Sequence, residues 1–221
     1  MGNPTKEKTK LSIQLNTKLY AVPTSAGAFY ATASETSSKQ RDFLYQLIVH
    51  NHEQKISGAL LKEWGGKENI KSTVKIFYRL QQLGYITGTS EQPSSIPDGT
   101  LSDILTEMVA PLSINNKVVL SDSNGLYMVS SGYPHEVAEQ LAALSVDLYG
   151  LYERHQKLLL NNLNIATKGM AMVAPDGYSQ LGVWPIHIGH NIFFLILGGA
   201  PQMQDNAFTD LVKFLATKYK N

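Results

Sequence analysis

The chain has 221 residues, 43% hydrophobic and 17% charged, with a formal net charge of +1, a balance that predicts a folded protein with room for two small domains. With no cysteine, disulfides, zinc–thiolate sites and thiol catalysis are excluded. No N-terminal apolar stretch follows the start and no segment approaches the roughly 18 apolar residues of a membrane span, so a cytoplasmic protein without a membrane span is expected.

Residues 1–36 read as an extended segment or hairpin. Leu11, Ile13 and Leu15 alternate, Thr24-Ser25-Ala26-Gly27 makes a break, and Ala28-Phe29-Tyr30-Ala31 reads as a further short strand. The segment is too small to fold alone and is expected to edge a larger domain. Met1-Gly2 opens like a lipidation signal, but Lys6 stands where serine or threonine is required.

Residues 37–92 carry three helical patterns. Arg41 to Asn51 turns Phe43, Leu44, Leu47 and Ile48 inward, Ile56 to Trp64 is short, and Asn69 to Leu83 places Ile70, Val74, Phe77 and Leu80 on one buried face. Gly84-Tyr85-Ile86-Thr87-Gly88 then begins a wing strand. Residues 93–99, with Pro93 and Pro97 among serines, form a linker.

Residues 100–221 give the richest pattern. Thr100 or Ser102 caps a helix bearing Leu101, Leu105, Met108 and Leu112. Lys117 to Ser121 is a strand, Asp122-Ser123-Asn124-Gly125 a tight turn, and Leu126 to Ser130 the returning strand. The helix from Pro134 to Gln156, roughly 35 Å long, carries two seams. Val137, Leu141, Leu144, Leu148 and Leu151 form one, and Ala138, Ala142, Ser145, Tyr149 and Tyr152 the other. Three strands follow, at Gly169 to Ala174, Ser179 to Ile188 and Asn191 to Leu197. The last is continuously apolar and so predicted to be central and covered on both faces. Asp205 or Asn206 caps a final helix with Phe208, Leu211, Val212, Phe214 and Leu215.

The order of these elements, the strand-turn-strand from Val118 to Leu126 and the Ala/Leu-rich helix after Ser130-Ser131-Gly132 resemble the roadblock family. The resemblance covers a little over half of the chain. It implies an α+β fold with a five-stranded antiparallel sheet sandwiched by helices, a homodimer, and a Ras-like small GTPase as partner. The connection at Asn161-Asn162-Leu163-Asn164 is longer than the family pattern. Residues 37–92 resemble a winged helix-turn-helix in a mostly helical N-terminal region. If that resemblance carries function, the third helix enters the major groove of DNA, with Lys67, Asn69, Lys71, Ser72, Lys75 and Arg79 as contacts.

Charge divides along the chain. Residues 1–34 hold four basic and one acidic side chain, 35–97 hold eight and six, and 98–221 hold seven and eleven. A basic N-terminal portion beside an acidic C-terminal half fits a nucleic-acid reader joined to a dimerising module. Ala138, Ala142, Ser145 and Tyr149 are the expected two-fold contacts, because small residues allow close approach.

Chemical motifs are sparse. His50-Asn51-His52 and His187-Ile188-Gly189-His190 lack a third ligand at zinc spacing. Asp122-Ser123-Asn124-Gly125 lacks the later carboxylates of a calcium loop. Gly65-Gly66-Lys67 lacks the spacing of a phosphate loop. No catalytic residue, metal or cofactor is expected. The first reading is a non-enzymatic dimeric adaptor or regulator of a Ras-like GTPase. The alternative is a DNA-binding transcription regulator that dimerises through its C-terminal half.

Overall fold

The computed structural model describes residues 15–50, 54–93, 100–204 and 206–219. The chain is α+β, with a mostly helical N-terminal region followed by a five-stranded antiparallel sheet flanked by helices. In the first region come β1 (Tyr20–Pro23), α1 (Ser25–Thr32), α2 (Lys39–Val49), α3 (Gly58–Trp64), α4 (Ile70–Gln82) and β2 (Ile86–Thr89). In the second come α5 (Leu101–Val109), β3 (Lys117–Asp122), β4 (Tyr127–Ser131), α6 (His135–Lys157), β5 (Met170–Val173), β6 (Ser179–Ile188), β7 (Asn191–Gly198) and α7 (Asn206–Lys218).

Helices α1 to α5 start where short polar side chains can satisfy a free backbone N–H. Ser38 accepts from the Arg41 amide at 3.2 Å, Ser57 from Leu60 at 3.2 Å, Asn69 from Ser72 at 2.9 Å and Thr100 from Asp103 at 3.3 Å. Thr24 does the same for Gly27 at 3.1 Å, starting a helix where the sequence predicts a strand. Residues 28–31 are therefore the body of α1, and their alanines pack against α2 and α7. Gly27 allows a close approach, since a Cβ there would lie 2.1 Å from the Tyr85 carbonyl oxygen.

The expected wing also has a different partner. β2 pairs antiparallel with β1, Tyr20 opposite Thr89 and Pro23 opposite Ile86, so the N-terminal segment supplies the second strand. Residues 1–14, with Leu11 and Ile13, lie outside the described residues, as do most of the expected linker and Asp205.

The large sheet has the order β4-β3-β7-β6-β5. As its pattern predicts, β7 is central and buried from Phe193 to Gly198. Its alternation divides the core. Phe193, Leu195 and Leu197 join Val118 and Leu120 in the cluster with α5 and α7, while Phe194 and Ile196 join Val119 and Val183 under α6. The β3–β4 hairpin turns as expected: Asp122 Oδ1 accepts the amides of Asn124 and Leu126, both at 2.9 Å, and Gly125 takes a φ of +78°.

The larger buried cluster does not stop at the sheet. It runs from Ala21, Ala28 and Leu44 through Leu61 and Leu80 to Leu105, Leu195 and Leu215. Helix α1 is the bridge, packed on α2 on one side and α7 on the other, with Phe29 and Phe208 rings 6.3 Å apart.

Candidate functional site

Two helix surfaces carry the residues singled out by sequence. On α4, Phe77, Leu80 and Thr73 are buried, Val74 is half-buried, and Ile70 is 44% exposed instead of belonging to the core. Ile70 is the first residue of the helix and projects before its buried face begins. Lys67, Asn69, Lys71, Lys75 and Arg79 are exposed and Ser72 is half-buried. Lys71, Lys75 and Arg79 succeed one another at four-residue steps and so form one stripe. Among the described residues none of these cations takes part in an ion pair, whereas Lys39 is held by Glu68 at 2.8 Å. The Asn69 side-chain oxygen already accepts the Ser72 amide in capping, while its amide nitrogen can donate to an outside partner.

On α6 the two seams divide differently from expectation. Ala138, Ala142 and Ser145 have no exposed surface within the single chain: they lie against the chain's own sheet, which α6 contacts through β3, β7 and β4. Ser145 Oγ donates to the Ala142 carbonyl at 2.6 Å and stands 3.3 Å from Ser121 Oγ of β3. Small side chains suit this position, because they bring the helix axis close to the sheet. Tyr149 is half-buried, with its ring 5.4 Å from Phe194 and Lys168 Nζ 5.7 Å above it. Burial, with the Glu153 carboxylate beside it, raises the Tyr149 pKa well above the ordinary tyrosine value.

The leucine seam is split, with Leu141 and Leu148 packed against the cluster under α6 and its two ends open. Val137 is 37% and Leu151 44% exposed, and Leu141, Leu144 and Leu148 are half-buried. Exposed apolar residues also occur in and just after the π-helical turn Leu158–Asn162, at Leu158, Leu160, Leu163 and Ile165, and on the edge strand β5, at Met172 and Val173. Periodicity alone does not distinguish such exposed apolar residues from core. The only sequence signal is that one helix cannot bury two full seams on one sheet face.

The histidines do not converge. His50 lies 3.7 Å from Glu63, His187 is buried on β6, His190 is exposed in the β6–β7 turn, and His52 lies outside the described residues. Among the described residues no group of three His, Asp or Glu side chains is placed to hold a metal ion, and no helix is long and apolar enough to cross a membrane. No protein-family model, curated protein or solved structure matches this chain.

Proposed function

We propose that the chain is a non-catalytic, dimer-forming regulator that binds a Ras-like small GTPase through its C-terminal half. The observation that carries the reading is the five-stranded β4-β3-β7-β6-β5 sheet with α6 on one face and α5 and α7 on the other, together with an apolar surface left open on α6. This architecture supports the roadblock resemblance, and that resemblance supplies both the dimer and the GTPase. The second copy meets the outer line Val137, Leu141, Leu144, Leu148 and Leu151, and Met172 and Val173 of the β5 edge. Ala138, Ala142 and Ser145 support the contact from beneath, and Tyr149 lies beside it. A free antiparallel edge and an apolar helix face each suit a two-fold contact, since each can pair with its own copy. The protein acts in the cytoplasm.

With no catalytic group assigned, any influence on GTP hydrolysis comes from differential affinity for the nucleotide states of the GTPase. The test is binding of the full chain to a panel of Ras-like GTPases, each loaded with GDP or a non-hydrolysable GTP analogue. One state is expected to bind tighter. Equal affinities exclude nucleotide-state sensing, and absence of binding across the panel shifts preference to the second reading.

That second reading, a dimeric DNA-binding regulator, is favoured by the Lys71, Lys75 and Arg79 stripe on the exposed face of α4. Dimerisation would join two weak modules and raise their combined affinity. A random-sequence DNA pool at low salt tests it, because phosphate contacts are strongest there.

A further inference from the structure

Between the 31–46 stretch and the β6–β7 turn lies a cavity of about 210 Å³. Its walls include Arg41, Asp42 and Tyr45 of α2, Glu35 of the preceding loop, and His187 of β6. Among the described residues, Nε2 of His187 and the hydroxyl of Tyr45 are buried without a hydrogen-bond partner. His187 is only 4% exposed. A buried polar atom without a partner is costly, and the two residues that carry these atoms, from separate elements, both line this cavity.

The third polar wall is rigid. Arg41 donates from Nε to the Tyr30 carbonyl at 3.1 Å and from a terminal nitrogen to the Thr36 carbonyl, and its guanidinium lies 5.1 Å from the centre of the Tyr30 ring. Those bonds fix its plane and leave further N–H groups of the fork for another acceptor. Arg41 and Lys168 both act on His187 and, with burial as the main cause, hold its pKa down to about 4. Glu35 and Asp42 also line the cavity; both are exposed, and Asp42 already accepts from the Ser37 hydroxyl at 2.6 Å.

We propose that this cavity binds a small oxyanion, a phosphate or a short carboxylate, with Arg41, Tyr45 and His187 as its contacts. An oxyanion accepts from the Tyr45 hydroxyl, from the imidazole and from the guanidinium together, and charge assistance makes such bonds stronger than neutral ones. The volume lies below the roughly 300–1,000 Å³ of sites for drug-sized ligands, so a whole nucleotide does not fit. The site joins the N-terminal helices to the sheet, and occupancy by an oxyanion ties α2 to β6. The binding is independent of the GTPase and DNA readings.

The experiment is an NMR titration of the full chain with inorganic phosphate and, separately, acetate, at constant ionic strength with chloride as the control, following the His187 imidazole signals. A saturable shift with phosphate or acetate that chloride does not produce is expected, and the anion that saturates identifies the ligand chemistry. Tyr45→Phe removes only a hydroxyl and should weaken binding about tenfold, and His187→Gln should weaken it similarly. Arg41→Gln is less informative, because the guanidinium also holds two loop carbonyls. Shifts no different from chloride, or saturation untouched by both Tyr45→Phe and His187→Gln in folded protein, would overturn the proposal.

Discussion

Helices α4 and α6 both carry apolar lines at helical spacing and use them in opposite ways. On α4 the large residues Phe77 and Leu80 point into the core and the charged ones face out. On α6 the small residues Ala138, Ala142 and Ser145 are the buried line, and larger ones such as Val137 and Leu151 are exposed. A helix packed at the corner of a helical cluster fills space with large side chains, whereas a helix laid flat on a sheet gains contact by approaching closely. An apolar seam therefore says that something covers it without saying what.

Exchanging charges between the two α6 lines breaks this comparison most directly. Ala142→Arg should unfold the chain or cost on the order of 4 kcal/mol, because an unpaired guanidinium would be forced between α6 and β3. Leu144→Glu combined with Leu151→Glu should keep the far-ultraviolet dichroism and yield a monomer by light scattering. A dimer that persists in this double variant would remove the outer line from the interface.

The next largest effect separates the sheet from the helices by pH. His187 has an ordinary value of 6.5 and a folded value of about 4. Its folded pKa is depressed, so between those values the unfolded chain takes up a proton that the native chain refuses. Its contribution is fully present above pH 6.5 and is lost as pH falls towards 4, on the order of 3 kcal/mol. Urea denaturation across that window should show the decline, and His187→Gln should flatten it. A wild-type slope unchanged by the substitution would assign the acid sensitivity to carboxylates.

On α4 the effects are smaller. Asn69→Ala removes the cap on the Ser72 amide and should cost about 1 kcal/mol, seen as a lower Tm without loss of fold. Lys71→Glu with Lys75→Glu should change stability by less than about 0.5 kcal/mol, as expected of exposed positions. If the stripe contacts DNA, the same pair should reduce the salt dependence of binding by about two phosphate equivalents. Unaltered salt dependence would place any DNA contact elsewhere.

Local signals were legible. Asn69 marks the start of α4, Asp122 and Gly125 make the hairpin, and the continuous apolar run at residues 192–197 gives the central strand. The N-terminal segment was not legible. Alternation around Ala28 to Ala31 resembles a strand, but Thr24 caps a helix there and α2 and α7 receive it. Likewise β2 reads as a wing strand from residues 84–88, while its partner β1 lies some sixty positions earlier in the chain. For the oxyanion cavity, nothing in the spacing of Arg41, Tyr45 and His187 predicts convergence, because two belong to α2 and one to β6.

What the sequence determines by itself is whatever depends on neighbours a few residues apart: helix starts, turn residues, the alternation of β7 and the polar stripe of α4. Hydrogen bonds and periodicity of this kind form within one element. Only the tertiary structure decides which apolar face is covered. It places the alanine line of α6 on the sheet, leaves Val137 and Leu151 of the leucine line open, and brings β1 to β2. Those choices depend on packing between distant segments, where a difference of volume or approach distance outweighs local preference.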